Sequence, residues 1–409
     1  MQTVCARRRE LEESWGKDMP KIERVEIRVT DYTSRLKRTT MHGDYDTGAS
    51  GTLLGKPCLL RIFADGIIGY AQVRPTTPGH SMPDTWKSVT GAFEEIIGPM
   101  LIGRDIFDIN AIFAEFDMLL PYNPVVRTML DFALHDAQGK AADQPVHNLL
   151  GGLSQELLPL EWSISMYDDP QQSINDALRG KQEFGINVAC LKAGSPKGWR
   201  HDVMCFEKLR ESCGPGMELG MDPNTAWSVP DTVLALEACR DARLDYIEQP
   251  IERRDHAGLA HIRRSARGTK VMADEAVMSV QDAYDLAKAE ACDVFCVKLY
   301  RMGGLKVAQK IAGIAEGANI LINIGGLAVM SQLEAAAAAH FYASLPARRC
   351  MPAGEFIFGL GVSGEDPLVP EPDFKIENGH VRPPSGPGLG INIDEKALEK
   401  YSLYREVIS

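Results

Sequence analysis

The sequence has no C-x-x-C pair, and its nine cysteines are an odd number. That argues against both a disulfide framework and a thiol-based metal motif. It reads as reduced, mostly buried thiols of a cytoplasmic protein. No apolar run approaches the roughly 18–20 residues that a membrane helix needs. Positive charge is in short supply, with 44 Lys+Arg against 56 Asp+Glu and a formal charge of −12. Such a balance argues against nucleic acid and membrane surfaces as partners, because both need clustered cations. A Gly-rich phosphate turn after a first strand is also missing, which disfavours a doubly wound dinucleotide fold. The opening "MQTVCARRRELEESWGKDMP" lacks an apolar signal core. Residues 1–18 are read as a disordered extension.

What is present changes character along the chain. Residues 19–75 read as antiparallel: "KIERVEIRV" alternates, a polar loop spans Asp31 to Lys56, and "PCLLRIFADGIIGYAQV" forms a hairpin around Asp65-Gly66. Residues 84–150 turn helical, with a stop at Gly139. Beyond residue 158, short apolar runs alternate with amphipathic stretches. They are "LPLEWSIS", "NVACLKAG", "MELGMDPN", "LDYIEQP", "KVMADEA", "CDVFCVKL", "NILINIGG" and a weaker eighth, "RRCMPAGEF". Runs without alternation suit strands buried on both faces, and alternation with helices implies a parallel sheet. The expected fold is α/β: a modified (β/α)8 barrel with an α+β capping domain. The expected domains are 19–152 (cap), 153–370 (barrel) and 371–409. The last is a Pro/Gly-rich tail, short of helix signal, that returns to the cap.

The strand ends carry the chemistry. Lys192, Asp222, Glu248, Asp274 and Lys298 close five successive runs at spacings of 30, 26, 26 and 24 residues. Each step is one βα unit, so all five reach the C-terminal face of a barrel, where such folds place their sites. A lone acidic residue at a strand end is more often a cap or a surface ion pair; five in register point to chemistry. Three converging carboxylates repel unless a cation neutralises them. Mg²⁺ suits such oxygen ligands, with Mn²⁺ as a substitute. Lys192 and Lys298 flank the three. This set fits removal of a proton next to a carboxylate, giving an enediolate whose charge a metal stabilises. Burial and the nearby cation are expected to lower the lysines' pKa values. A Schiff-base aldolase and a non-catalytic barrel are the readings of other classes. Borohydride trapping with substrate would support the aldolase.

The chain resembles the enolase superfamily, in its mandelate racemase/muconate lactonizing enzyme group. "LDFALHDAQGKAADQPVHNLLGG" looks like the group's helix signature, "MDPNTAW", "IEQP" and "ADE" like its metal motifs, and "VKLYRMGG" like its strand-six lysine motif. The resemblance implies Asp222, Glu248 and Asp274 as metal ligands and Lys192 and Lys298 as the acid/base pair, nearer the muconate lactonizing subgroup. Asn224 and Glu275 would support them, and a homo-oligomer is expected. Three departures stand out. Cys190 occupies the first position of the usual Lys-x-Lys, on the same side of the strand as Lys192. Gly325-Gly326-Leu327 stands where a Glu is common. No Asp-x-Asp marks strand eight, which disfavours a dipeptide substrate. For binding a small carboxylate, the candidates are Tyr32, Arg35, His42, Tyr45 and Arg74 in the cap, with Trp227 and Glu355 near the mouth. Epimerisation or dehydration of an amino-acid or hydroxyproline-like derivative is expected first, and muconate-type cycloisomerisation second.

Overall fold

The structure, a computed structural model, describes residues 19–32, 37–46, 55–75, 84–326, 330–351 and 353–409. The proposed extension at 1–18 lies outside them. Alternation shapes the first sheet. In β1 (Ile22–Thr30), Val25, Ile27 and Val29 are fully buried. The stretch read as one polar loop contains a hairpin, β2 (Lys37–Thr40) and β3 (Gly43–Asp46). Its strands carry few apolar residues, so the usual strand signal is missing. The predicted hairpin forms from β4 (Cys58–Ala64) and β5 (Ile67–Val73). Asp65 and Gly66 both have positive φ, 48° and 78°, as a tight two-residue turn requires.

The helix Pro124–Ala142 crosses this sheet. It starts on an Asn123 cap and runs three residues past Gly139, ending at Asp143 in the left-handed region. Gly139 is therefore a point of close approach and not a stop: a Cβ there would lie 2.6 Å from Gly388 Cα. Asp136 on this helix is buried and ties three segments together. It pairs with Lys140 (2.7 Å) and accepts the N–H groups of Tyr70 (2.8 Å) and Leu389 (2.7 Å). Asp131 on the same helix accepts the Leu305 N–H (2.5 Å) at the start of the barrel helix Leu305–Ala318. Asp136→Ala is expected to cost about 2–6 kcal/mol, since two buried donors lose their acceptor at roughly 1–3 kcal/mol each. Urea unfolding measures it, and an unchanged midpoint would contradict this role.

The second sheet is parallel. It runs through β7 (Glu161–Ile164), preceded by the short β6 (Leu158–Pro159), then β8 (Val188–Lys192), β9 (Glu218–Asp222), β10 (Tyr246–Glu248), β11 (Lys270–Ala273), β12 (Val294–Val297) and β13 (Leu321–Ile324). The weak eighth run closes it. Met351 and Glu355 donate to Ile322 O and Ile324 O (both 2.8 Å), while Gly354 O accepts from Glu161 and Gly354 N donates to Pro159 O (both 2.9 Å). Seven strands and this segment form a (β/α)8-type barrel. A small core of Cys190, Tyr246, Met272, Val294, Cys296 and Met351 packs together. Gly220 makes room in it, since a Cβ there would fall 2.1 Å from the Tyr246 ring.

The tail is more regular than its composition implied. β14 (His380–Val381) pairs with β6, and a helix follows at Glu395–Tyr401. Asp394 caps that helix, accepting from Lys396 (2.8 Å) and Ala397 (3.3 Å). β15 (Ser402–Ile408) then pairs antiparallel with β1, giving the order β15-β1-β4-β5.

Candidate active site at the barrel mouth

Strand register brings the predicted residues together. Lys192 and Asp222 are direct neighbours across β8 and β9. The Lys192 Nζ lies 2.5 Å from Asp222 Oδ2 and 3.8 Å from Glu355 Oε1. Opposite, the Lys298 Nζ lies 2.7 Å from Asp274 Oδ2 and 3.9 Å from Glu248 Oε1. All six residues are buried. Asn224 sits in the left-handed region (φ 46°) directly after β9. Its backbone N–H donates to Asp222 Oδ1 (2.8 Å), and its side chain to Asp222 Oδ2 (2.9 Å) and Glu275 Oε1 (3.3 Å).

Burial and crowding set the charges. Burial, reinforced by Asp222, holds the Glu248 carboxyl well above its usual range. Burial also pushes Asp222 up to about 6, against the pull of Lys192. Asp274 goes the other way: burial would raise it, but Arg301 and Lys298 hold it well below the carboxylate range. Each of the two lysines is pulled in opposite directions. Burial does favour their neutral forms. Asp222, Glu355 and Glu248 outweigh it at Lys192, and Asp274 leads the opposition at Lys298, so both rise well above an ordinary lysine.

Sequence reading missed Glu161, Arg301 and Gln249. Glu161 begins β7 inside a run that otherwise reads as core. Burial and then Glu355 push its carboxyl up to about 8, and Oε2 has no hydrogen-bond partner. Arg301 holds Asp274 through both its backbone oxygen (2.6 Å) and its side chain. Gln249, at φ 31°, accepts the N–H groups of Asp274 (3.0 Å) and Ala276 (3.1 Å). Arg38, buried, donates to the Ser163 carbonyl and lies over the Phe358 ring. The sequence already offers Arg38 among the polar and basic residues of the cap loop over the barrel mouth. The ligand atoms of Glu248, Asp274 and Cys296 lie within 4.8 Å of one another, as do those of Glu161, Cys190 and Glu248. The Cys190 thiol is 3.8 Å from Glu248 Oε2. Burial, with Glu161 and Glu248 nearby, pushes it well up.

The remaining candidates scatter. Trp227 donates to Asp202 Oδ2 (3.3 Å), which also accepts the Gly194 N–H (3.0 Å), so it braces the loop after Lys192. Arg74 donates to Gly55 O (2.8 Å), and Tyr32 accepts from Gln72 (3.2 Å) with its ring edge on Tyr401. His42 is exposed at the β2–β3 turn. Tyr45 pairs with Arg38 across that hairpin. Arg35 and the Tyr45 side chain lie outside the described residues.

Gly325, where a glutamate was looked for, has a steric reason. A Cβ there would lie 2.5 Å from Lys298 Cε and 2.7 Å from Cys296 Sγ. Gly325→Ala therefore displaces the Lys298 chain and should lower kcat by roughly 10²-fold, the scale of an ångström misplacement. Thermal unfolding should shift little. Unaltered kcat would show that the contact does not position the lysine.

The family description "Enolase C-terminal domain-like" matches residues 174–397, and "Mandelate racemase / muconate lactonizing enzyme, N-terminal domain" matches residues 49–151. Muconate cycloisomerase 1-1 of Acinetobacter lwoffii is 28% identical over 386 residues, covering 93% of this chain and 96% of that protein. A hydrophobic dipeptide epimerase of Enterococcus faecalis is 31% identical over 283 residues, 68% of this chain and 77% of that protein. An N-succinyl-L-Arg/Lys racemase of Bacillus cereus is 29% identical, with 84% and 89% covered. The solved muconate lactonizing enzyme of Pseudomonas fluorescens, complexed with muconolactone, superposes with a TM-score of 0.84 at 26% identity, over 94% of this chain and 100% of that one.

Proposed function

Because this chain belongs to the mandelate racemase/muconate lactonizing enzyme family of the enolase superfamily, we propose that it moves a proton at the carbon next to a substrate carboxylate, with Lys192 and Lys298 as the acid/base pair. Racemisation or epimerisation of a small amino-acid or hydroxyproline-like derivative is the first outcome, and β-elimination from the same enediolate is the related one. The observation that carries this is the pair of buried lysines, one ending β8 and one directly after β12, each ion-paired to a carboxylate, with Glu248 Oε1 3.9 Å from the Lys298 Nζ.

Enzymes of this family depend on a metal. The residues present fit one. Glu248 Oε1 is buried without a hydrogen-bond partner, and burial destabilises both ionised carboxyls, with Asp222 adding to it at Glu248 and Glu275 and Asp274 at Asp222. We assign Asp222, Glu248 and Asp274 to a divalent cation, Mg²⁺ before Mn²⁺ because every donor is a hard oxygen. When bound, it supplies positive charge to the oxygens of the developing enediolate.

The chain's own groups do the rest. One lysine must be neutral to accept the proton. Burial favours that form, and the carboxylates around it oppose it until their charge is compensated. The other lysine, still an ammonium, returns a proton to the opposite face. Asn224, Gln249 and Arg301 fix the carboxylates, and so the distance between the two lysines. Muconate-type cycloisomerisation is the second reading, favoured by the Acinetobacter relative. Against it, the interior around the lysines already holds Glu161 and Glu355. A second substrate carboxylate would meet the charge of Glu355, which Lys192, Lys298 and Arg38 keep ionised against its burial.

The test is α-proton exchange in deuterated water, followed by NMR with Mg²⁺ across N-acyl amino acids, proline derivatives and muconate. Exchange with any of them supports the reading. Its absence with all of them overturns it.

A further inference from the structure

The barrel interior holds a second set of metal donors beside the carboxylates assigned to Mg²⁺. Glu161 from β7, Cys190 from β8 and Glu248 from β10 each bring one donor atom within 4.8 Å of the others, and all three are almost completely buried. Two of the three carry an oxygen that nothing satisfies. Tyr246 bonds the Glu161 carboxyl, yet Glu161 Oε2 has no hydrogen-bond partner, and neither does Glu248 Oε1. Buried carboxylates normally have their oxygens paired.

Glu248 faces two ways. Its Oε1 is 3.9 Å from the Lys298 Nζ, on the side of Asp274, whereas its Oε2 is 3.8 Å from Cys190 Sγ. One carboxylate can thus serve an ion on each side, as in two-metal sites whose ions stand roughly 3.5–4 Å apart. The donors on the Cys190 side differ in kind. A thiolate is soft and suits Zn²⁺, whereas Mg²⁺ takes oxygens. Tetrahedral Zn²⁺ with sulfur at about 2.3 Å and a carboxylate oxygen at about 2.0 Å spaces those donors roughly 3.5 Å apart. Cys190 Sγ and Glu248 Oε2 are already close to that separation. A bound cation also removes the thiol's proton outright. The other thiol-bearing set, Glu248, Asp274 and Cys296, is less apt, because Arg301 and Lys298 already hold the Asp274 carboxylate.

We infer that Glu161, Cys190 and Glu248 bind a second, thiophilic divalent cation, Zn²⁺, which shares Glu248 with the Mg²⁺ ligands. Its donors come from three separate strands, so no local spacing motif marks it. The ion brings positive charge to the side of the strand where the usual Lys-x-Lys carries its first lysine. The inference goes beyond the proposed reaction and has only Glu248 in common with it.

Co²⁺ reports such a site, because a thiolate bound to it gives a near-ultraviolet charge-transfer band that oxygen donors do not. Full-length protein stripped of metal and supplied with excess Mg²⁺ should develop this band on titration with Co²⁺, saturating at one ion per chain. Zn²⁺ should then erase it. Cys190→Ser should lose the band. Glu161→Gln keeps the thiol, so it should retain the band but bind Co²⁺ roughly tenfold or more weakly. If Cys190→Ser does not fold, Glu161→Gln decides alone, and unchanged Co²⁺ affinity in it overturns the site. Absence of the band in wild type also overturns it. So does a band that survives Cys190→Ser. Its loss in Cys296→Ser would place the ion with Asp274, and its loss in Cys205→Ser would place it at Cys205 and His201, whose Sγ and Nε2 are 3.6 Å apart. Exchange of a substrate α-proton without the band overturns this site and leaves the proton-transfer reading intact. The band without exchange of any acid does the reverse.

Discussion

Lys192→Ala and Lys298→Ala should each lower turnover by about 10²–10⁴-fold, the usual contribution of a positioned acid or base, with little change in KM. The two losses are not equivalent. In the proposed reaction each lysine faces one side of the bound substrate, so each variant should still exchange the α-proton of the stereoisomer served by the remaining lysine, while interconversion stops. Following exchange and inversion separately, with both stereoisomers, measures this. Loss of interconversion with one-sided exchange in each variant is the expected pattern. Full inversion in either variant would remove that lysine from the mechanism. The lysines' structural part is visible in the same variants. Without Lys192, Asp222 loses its 2.5 Å partner. Its carboxyl should then rise further, so metal affinity should fall more steeply at low pH in Lys192→Ala than in wild type.

Chelation should abolish turnover, and a divalent cation should restore it. The more informative effect is on folding. A cation that binds only the native state stabilises it by about 2.7 kcal/mol at 100 times its dissociation constant. Melting temperature should therefore climb with added Mg²⁺. Glu248→Gln should abolish that climb. It should also leave the ion-free protein more stable than wild type, because Glu248 then no longer has to ionise beside Asp222 in a buried site. A normal Mg²⁺ response in Glu248→Gln would rule out Glu248 as a ligand.

The barrel and its polar ring were legible because two periodicities coincide. Buried parallel strands appear as continuous apolar runs, and the βα repeat places one polar residue at each strand end. Lys192, Asp222, Glu248, Asp274 and Lys298 were found this way. Glu161 was not, because it begins its strand instead of ending it, and its long side chain comes beside Cys190 and Glu248 through the pairing of β7 with β8 and the curl of the sheet. Arg301 and Gln249 were hidden for another reason: they act on backbone as much as on side chains, and a turn geometry such as φ 31° leaves no mark in composition. The β2–β3 hairpin was read as loop because its strands lack apolar alternation. Gly139 was read as a helix stop because a glycine needed for close packing looks the same in sequence as one needed for a left-handed turn.

The pairing of β1 with β15 also bears on how the chain is made. Val25 meets Ile408 across that ladder. At a synthesis rate of roughly 5–20 residues per second, β1 waits about 20–75 s for its outer neighbour. During that interval its free edge is a template for pairing with other nascent chains. The barrel, whose contacts run mostly between successive units, can assemble meanwhile. Changes in Ser402–Ile408 should therefore be felt first in the yield of soluble protein, at the ribosome and its chaperones, and only later in the active site.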